Sequence, residues 1–504
     1  MDLLKSISRL LTKQKLKQID IITNTESPKT KSELLYTALR DGIISSEDEA
    51  IALLYPEGNY SKSAFEKLKY RLKDKLINTL FFIDVQSYSS IAKDSALLKV
   101  AKAYIASQIL GRARISNSFE IMESVLKTCQ KYELIDFQIL IYRELLPNYG
   151  LFYYDRRKYK MYSEAYEEAL RKLLLEDKIH HFFTILGRKI TTARNLSYSL
   201  EIKEIEQDMA ETYENAVQED HNQIRFYAYN SKFFLLMYKN DLFAQSALCD
   251  EAINYFKEKK NYTNLALFSF KQKKGLCFMA FGKFNEAISL FDQCLAYNPT
   301  IGGNAWLALH NYKFSAHLLL SEYSEAYKVA SKVLYTKTTK KLNSAFHQKW
   351  FMNEAFIHFL ILTKKLKVED IDVKPIRKFR LTRFLNELPE FSKDKKGANI
   401  TINILQLLFY VLEKDLDKVD DKLESLKQYS FRHLKGNEYI RPKTFIRLLE
   451  LIPKCDYNLH KVNNKSEKLL KVLSDNPKAY FDQRSDIEFL PFEKLWTLVI
   501  EALE

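Results

Sequence analysis

Residues 275–299, with the sequence GLCFMAFGKFNEAISLFDQCLAYNP, contain the pattern that decides the predicted fold. Two apolar segments with helical spacing follow one another, and a glycine separates them. The small residues Gly275 and Ala287 fall where two antiparallel helices must approach closely, and Pro299 stops the second helix. The space around the small residues is filled by three aromatic side chains: Phe278, Phe284 and Phe291. This stretch therefore predicts a helical hairpin.

The composition independently predicts an all-α protein. The 504 residues include 11 glycines and 10 prolines, each roughly 2% of the chain where globular proteins have about 7% and 5%. Few positions can therefore supply the tight turns that β-sandwiches and barrels need. Because 46% of the residues are hydrophobic and 28% are charged, the chain has enough apolar surface to fold around a core.

The hairpin at 275–299 resembles a tetratricopeptide repeat, in which paired helices stack into an α-solenoid. Further helix pairs recur along the sequence at intervals near 40 residues. The step from Ala287 to Ala326 is 39 residues, longer than the 34 that are usual in that family. The resemblance therefore implies a solenoid of degenerate, elongated hairpins with helical caps at its two ends.

The resemblance also implies a groove. In tetratricopeptide arrays the first helix of each pair faces the concave groove, which places four residues of this chain there: Gln272, Met279, Asn311 and Ser315. The alternative interpretation is that they form ordinary surface with no ligand. The sequence departs from the family at Lys271 and Lys274, where tryptophan and leucine are usual.

Three regions are predicted along the chain: an amino-terminal helical module at 1–87, a repeat array at 88–388, and carboxy-terminal hairpins with a cap at 389–504. The last helix, Phe492 to Leu503, is expected to cover the open hydrophobic face of the solenoid. Through the segments 76–84 and 379–399, the chain is similar to uncharacterised bacterial tetratricopeptide proteins of about this length. That resemblance implies a bacterial protein but transfers no activity.

The amino-terminal module resembles the winged-helix head of bacterial regulators. It has two short helices, a turn at Tyr55 and Pro56, and a basic amphipathic helix at 63–76. In such heads the third helix enters the DNA major groove, which implies possible nucleic-acid contact by four cations: Lys67, Lys69, Arg71 and Lys73. No glycine-turned hairpin follows in the sequence, so the alternative interpretation is a helical cap for the repeats.

The charge distribution gives the main indication of a partner. The formal net charge is +14, and residues 326–383 contain 14 lysines and arginines against 4 acidic residues. A basic partner-binding surface is predicted from a helical set and the loop that follows it: Arg377, Lys378, Arg380, Arg383, Lys395 and Lys396. Guanidinium groups beside aromatic residues suit acidic protein surfaces, phosphates or bases. The alternative interpretation is a solvated, lysine-rich helix face.

The sequence favours a cytoplasmic location. Its five cysteines lie far apart without a C-x-x-C pair, and no run of 18 apolar residues predicts a transmembrane helix. Residues 1–17 form an apolar stripe opposite Lys5, Arg9 and Lys13. We favour docking of this stripe on the protein's own body over peripheral contact with an anionic membrane.

No catalytic, cofactor-binding or metal-binding motif is found, and no enzymatic activity is predicted. His310 and His317 share a stripe without a cysteine or carboxylate at metal spacing, so a place in the core or groove is expected. The predicted function is a macromolecular binding scaffold that holds a protein or peptide through its groove and basic surface. The alternative is a nucleic-acid-binding regulator with a DNA-binding head and a sensing repeat body.

Overall fold

The fold is all-α. A computed structural model describes residues 30–56, 58, 60–82, 92–115, 118–192, 198–259, 263–297, 299–336, 344–369, 371–374, 376, 398–434, 436, 439–476, 488 and 490–504. All regular secondary structure in these residues is helical, which confirms the predicted all-α class, while the solenoid of repeats stays a prediction.

The helices are numbered here in chain order. Their bounds are α1 Lys31–Arg40, α2 Glu47–Leu54, α3 Lys62–Leu80, α4 Ala92–Arg112, α5 Phe119–Lys131, α6 Ile135–Pro147, α7 Arg156–Thr192, α8 Leu200–Gln218, α9 Asn222–Tyr238, α10 Leu242–Lys257, α11 Thr263–Ala280, α12 Phe284–Leu295, α13 Asn304–Leu320, α14 Tyr323–Leu334, α15 Ser344–Leu362, α16 Ala398–Glu413, α17 Leu416–His433, α18 Ile440–Lys454, α19 Leu459–Asp475 and α20 Phe492–Leu503. A π-helical turn, Asn148–Phe152, follows α6.

The chain folds into two compact units. Unit 1 contains Met1–His181 and Glu214–Arg225, and unit 2 contains Phe182–Tyr213 and Phe226–Glu504. The domain boundaries predicted near residues 87 and 388 do not coincide with this division, and they stay predictions.

Unit 1 contains two hydrophobic clusters. Helix α1 packs on α2 and α3, and the three helices share a small core that includes Leu35, Leu54 and Phe65. Helices α4, α5 and α6 pack on one another around a second core that includes Met122 and Leu145. Each cluster is built from helices that are neighbours in the chain.

Unit 2 is built by sequential packing. From α10 to α20 each helix contacts the next one in the chain, and α13 also contacts α11 and α15. Helix α20 packs on α16, α18 and α19, and its Trp496 and Val499 are buried in the same core as Trp306 of α13. The predicted carboxy-terminal helix is therefore confirmed in both its bounds and its burial.

The stretch that decided the predicted fold forms the hairpin of α11 and α12. Gly282 joins the two helices with a φ of 75°, a conformation that favours glycine. Ala287 and Phe291 are completely buried. A Cβ atom added to Gly275 would lie only 2.5 Å from Cε1 of Phe291, so the close approach predicted at this glycine is confirmed.

Substitution of Gly275 by alanine tests this close approach. Because the added methyl group would overlap the ring of Phe291 in a packed core, we expect Gly275→Ala to destabilise unit 2 by about 1–3 kcal/mol. The measurement is thermal unfolding followed by circular dichroism. Gly111→Ala in α4 is the control, because the nearest atom to its Cβ would be Ser118 Oγ at 3.6 Å. An equal loss of stability in both variants would contradict the packing argument.

All five cysteines are free and buried. Burial raises the pKa of Cys277 to about 12, and it does the same at Cys294. These thiols therefore behave as small hydrophobic residues. In the part of the chain that the structure describes, no helix combines the length and apolar character needed to cross a bilayer.

Candidate anion-binding site

The predicted basic surface lies outside the described residues. This applies to Arg377, Lys378, Arg380, Arg383, Lys395 and Lys396, and equally to the stripe at 1–17. The described part of the lysine-rich segment 326–383 nevertheless forms a distinct feature.

That feature is a cleft in unit 2 of about 540 Å³. Its lining consists of Ser324, Lys328, Lys364, Lys365, Lys367, Ile371 and Asp372. We call it the lysine cleft. Four of its seven lining residues are therefore cations, and one is an acid.

The reversal of the chain at the end of α15 brings three of these lysines together. Lys364 has a φ of 56°, and its N–H donates to the carbonyl of Ile361 at 3.0 Å. The N–H of Lys365 donates to the carbonyl of Leu360, also at 3.0 Å. These bonds satisfy the last carbonyls of the helix, and lysines are favourable at this negative end of the helix dipole. The lysines at this position therefore stabilise the end of the helix as well as lining the candidate site.

The segment after the reversal is held along α14, and its Ile371 and Asp372 also line the lysine cleft. Leu366 is buried in the core, and Ser331 Oγ donates to the carbonyl of Lys374 at 2.6 Å. The N–H of Ile376 donates to the hydroxyl of Tyr327 at 2.8 Å. Hydrogen bonds therefore hold the backbone on which these lining residues lie.

The four cations of the lysine cleft differ in their partners. Lys328 pairs with Glu325 and Lys365 with Glu501, both at 2.7 Å. Lys364 and Lys367 are exposed and have no ion-pair partner among the described residues. As far as the described part of the chain goes, these two ammonium groups are left for an anion from outside the chain.

The amino terminus of α14, the positive end of that helix dipole, also lies at the lysine cleft. Glu322 is the residue before α14. One of its carboxylate oxygens lies 2.8 Å from Nδ1 of His317, and its side chain makes no capping hydrogen bond to the helix. The first amides of α14 are therefore not capped by that side chain, and Ser324 of this turn lines the lysine cleft. Anions are stabilised at such a helix end.

This arrangement can bind carboxylates or phosphates but contains no recognisable catalytic set. Lysine ammonium groups act as point charges, so they select charge more than a fixed planar geometry. Within the described ranges, no group of histidine, cysteine and acidic side chains is placed to hold a metal ion.

The predicted groove residues are not equally accessible. Gln272, Asn311 and Ser315 are half-buried, and Asn311 Oδ1 accepts from Asn353 Nδ2 at 3.0 Å. Met279 is completely buried in the core with Ala287 and Phe291, so its assignment to a groove surface is corrected. A long apolar side chain near the tight helix crossing packs inward rather than toward a ligand.

The two histidines of α13 are structural. His310 is buried, and one ring nitrogen lies 2.9 Å from the carbonyl of Trp306. Burial lowers the pKa of His310 to about 4, so the ring is neutral at physiological pH. His317 is engaged with Glu322, as described above. Both side chains are buried, which agrees with the predicted place in the core or groove.

The cations of α3 are also unequal. Lys67, Arg71 and Lys73 are exposed. Lys69 instead pairs with Glu47 at 2.5 Å and Glu66 at 2.9 Å, so its charge is used within the module. Between residues 30 and 82 the described chain contains helices without a strand. Nucleic-acid contact by this module stays a prediction.

Comparison of the chain with protein-family models, with curated proteins and with solved structures finds no match in any of the three. The function must therefore be argued from the site itself.

Sequence reasoning located the lysine-rich segment but not the members of the lysine cleft. The available signal was the run Thr363-Lys364-Lys365-Leu366-Lys367, which follows directly on the apolar end of α15. Charge density alone did not distinguish these lysines from Lys328, because ion-pair partners depend on the fold.

Proposed function

We propose that this chain is a non-enzymatic binding scaffold of tetratricopeptide-like hairpins that holds an acidic protein partner at the lysine cleft. The observation that carries the proposal is the pair Lys364 and Lys367, which line the cleft and have no ion-pair partner within the described ranges. The net charge of +14 acts in the same direction, because it favours encounter with acidic partners.

The packing of unit 2 supports the scaffold part of the proposal. Consecutive helices contact one another from α10 to α20, and the first helices of successive hairpins, α11, α13 and α15, also touch. Such stacking is what a helical-repeat array requires. Arrays of this kind offer extended surfaces, and this suits a protein or peptide partner better than a small metabolite.

The experiment is affinity purification of the tagged full chain from its native cells, with and without nuclease. We expect a stoichiometric, nuclease-resistant acidic protein that is lost at high salt. The double variant Lys364→Glu/Lys367→Glu is expected to weaken its binding at least about tenfold, because two attractive contacts become repulsive.

The matched control is Lys465→Glu/Lys468→Glu, which changes the net charge equally on the exposed face of α19. If both double variants lose the partner alike, general charge and not the lysine cleft explains binding. Recovery of nucleic acid that Lys67→Glu/Arg71→Glu/Lys73→Glu abolishes would overturn the proposal in favour of the regulator with a DNA-binding head.

A further inference from the structure

The π-helical turn of unit 1 exposes an unusual group of large apolar side chains. Leu151 is 65% exposed, Phe152 71% and Tyr154 81%. Beside them lies a cleft of about 530 Å³ whose lining includes Leu146, Leu151, Tyr154, Arg156 and Tyr159. We call it the aromatic cleft. A contiguous exposed apolar group of this kind is typical of an interaction site.

The turn that forms the aromatic cleft is held from beneath by a polar network. Glu123 accepts hydrogen bonds from the hydroxyl of Tyr149 at 2.5 Å and from that of Tyr162 at 2.7 Å. Lys158 donates to Glu123 at 3.0 Å and to the hydroxyl of Tyr149 at 2.8 Å. Since Tyr149 belongs to the π turn, the network fixes the exposed side chains in place.

The backbone of the turn has two uncommon features, one at Gly150 and one at Tyr154. A Cβ atom at Gly150 would lie 2.9 Å from two ring carbons of Tyr159, so the ring of Tyr159 packs directly on the glycine. Tyr154 has a φ of 52°, in the left-handed region that bulky residues rarely adopt. π turns and residues in strained conformations are both frequent at functional sites.

The charges around the aromatic cleft indicate its partner. Arg156 and Arg157 are exposed and have no ion-pair partner among the described residues, whereas Lys158 is engaged by Glu123. Asp155 accepts a hydrogen bond from the N–H of Lys158 at 3.0 Å and thereby stabilises the start of α7. Arg156 therefore contributes a guanidinium group to the lining of an apolar cleft, and the exposed Arg157 follows it directly in the chain.

We propose that the aromatic cleft binds a short segment of a partner protein that presents a bulky apolar side chain beside carboxylates. The apolar side chain enters the cleft between Leu146 and Leu151, and the carboxylates pair with Arg156 and Arg157. Tyrosine and arginine together are the residues that dominate the energy of protein interfaces. Guanidinium groups also form two parallel hydrogen bonds with a carboxylate.

Other occupants fit the charges or the shape less well. The apolar stripe at 1–17 of this chain carries Lys5, Arg9 and Lys13, which would bring like charges to Arg156 and Arg157. A nucleic-acid strand requires a track of cations along its backbone. The aromatic cleft offers a compact apolar hollow with one arginine, Arg156, in its lining.

The experiment measures binding of fluorescein-labelled short peptides to the full chain by fluorescence anisotropy. One peptide has two central phenylalanines flanked by aspartate and glutamate, a second has lysine in place of the acids, and a third has alanine in place of the phenylalanines. We expect the first peptide to bind at least about tenfold more tightly than either of the others.

Two variants locate that binding without harming the fold. Tyr154→Gly removes the ring and suits the left-handed backbone, and Arg156→Glu places an acid in the first turn of α7, where it is favourable. Each variant is expected to lower the affinity for the acidic peptide about tenfold. Phe431→Ala, at another exposed aromatic residue, is the control and is expected to have no effect.

Four results would overturn the proposal. The first is equal affinity for the acidic and the basic peptide, and the second is unchanged affinity in Tyr154→Gly. The third is tighter binding of oligo-dT that the same two variants abolish, which would make this a nucleic-acid surface. If the acidic peptide binds only after deletion of residues 1–29, the chain's own amino terminus is the occupant and the proposal also fails.

Discussion

Replacement of Arg441 by methionine is expected to lower the free energy of unfolding of unit 2 by about 3–5 kcal/mol, the cost of breaking a buried ion pair from one side. Arg441 of α18 is only 9% exposed. Its guanidinium donates to Glu493 at 2.7 and 2.9 Å and to Glu488 at 2.6 Å. It also donates to the carbonyls of Leu473 and Asn476, at 2.8 and 3.0 Å. One side chain thus joins the end of α19 to the start of α20.

The expected loss of stability comes from the two acids to which Arg441 is now bound. The side chain of Glu488 is 4% exposed, so its carboxylate would lose a charged partner in a site that water hardly reaches. Burial by itself would raise the pKa of Glu493, but hydrogen bonds from Arg441 outweigh it and hold that pKa below its usual value. The network therefore stabilises the ionised form of Glu493.

Urea unfolding followed by tryptophan fluorescence measures this effect, because all three tryptophans, Trp306, Trp350 and Trp496, are buried in unit 2. Arg447→Met on the exposed face of the same helix is the control and is expected to change stability by less than about 0.5 kcal/mol. Adding Glu488→Gln to Arg441→Met should restore part of the loss. Equal effects of the two arginine variants would show that the network is not the cause.

Much of the helical architecture could be predicted from local sequence. Gly275 and Phe291 meet as the hairpin pattern requires, and α20 has the predicted bounds. Capping boxes at Thr30 and Ser46 define the starts of α1 and α2. These features depend on residues a few positions apart, so their physics is visible in the sequence.

Long-range polar networks could not be predicted in the same way. Arg441 bonds groups 32 to 52 positions away in the chain, and only the fold brings them together. For the same reason, the sequence did not separate Lys364 and Lys367 from Lys365, which finds its partner in Glu501. The burial of Met279 was missed because helix-face assignment came from family resemblance rather than from this chain's packing.

The π turn was also absent from the predictions. Pro147 ends α6, and the next turn widens so that the N–H of Tyr153 donates to the carbonyl of Asn148 at 2.8 Å. No local residue pattern specifies such a turn uniquely, because its stability depends on Tyr149 reaching Glu123 across 26 residues. The aromatic cleft is therefore a product of tertiary contacts.

Glu123 gives the second large expected effect. Glu123→Gln is expected to destabilise the packing of α5 against the π turn and α7 by about 2–3 kcal/mol, because hydrogen bonds to a charged acceptor are the stronger ones. The amide of glutamine can accept at one oxygen only, while its NH₂ group faces the donors that the carboxylate satisfied. Tyr149 and Tyr162 are each 6% exposed, so water replaces the lost bonds poorly.

Lowering the pH should weaken the same hydrogen-bond network around Glu123. Burial alone would raise the pKa of Glu123, but hydrogen bonds from Tyr149, Tyr162 and Lys158 outweigh it and hold that pKa below its ordinary value of 4.5. As the pH falls, the unfolded chain therefore takes up the proton first. The stabilisation is complete above the ordinary value and is lost as the pH falls through the lower value of the folded state.

Hydrogen exchange of the amides in α5 and the start of α7 is the suitable measurement, since unit 1 has no tryptophan. Wild-type protection should fall on acidification below about pH 4.5 after correction for intrinsic exchange, and Glu123→Gln should lack this dependence. Glu120→Gln, an exposed change on the same helix, should keep it. A Glu123→Gln variant that retains both its protection and its acid dependence would show that the π turn is held by apolar packing alone, because the network would then contribute no measurable free energy.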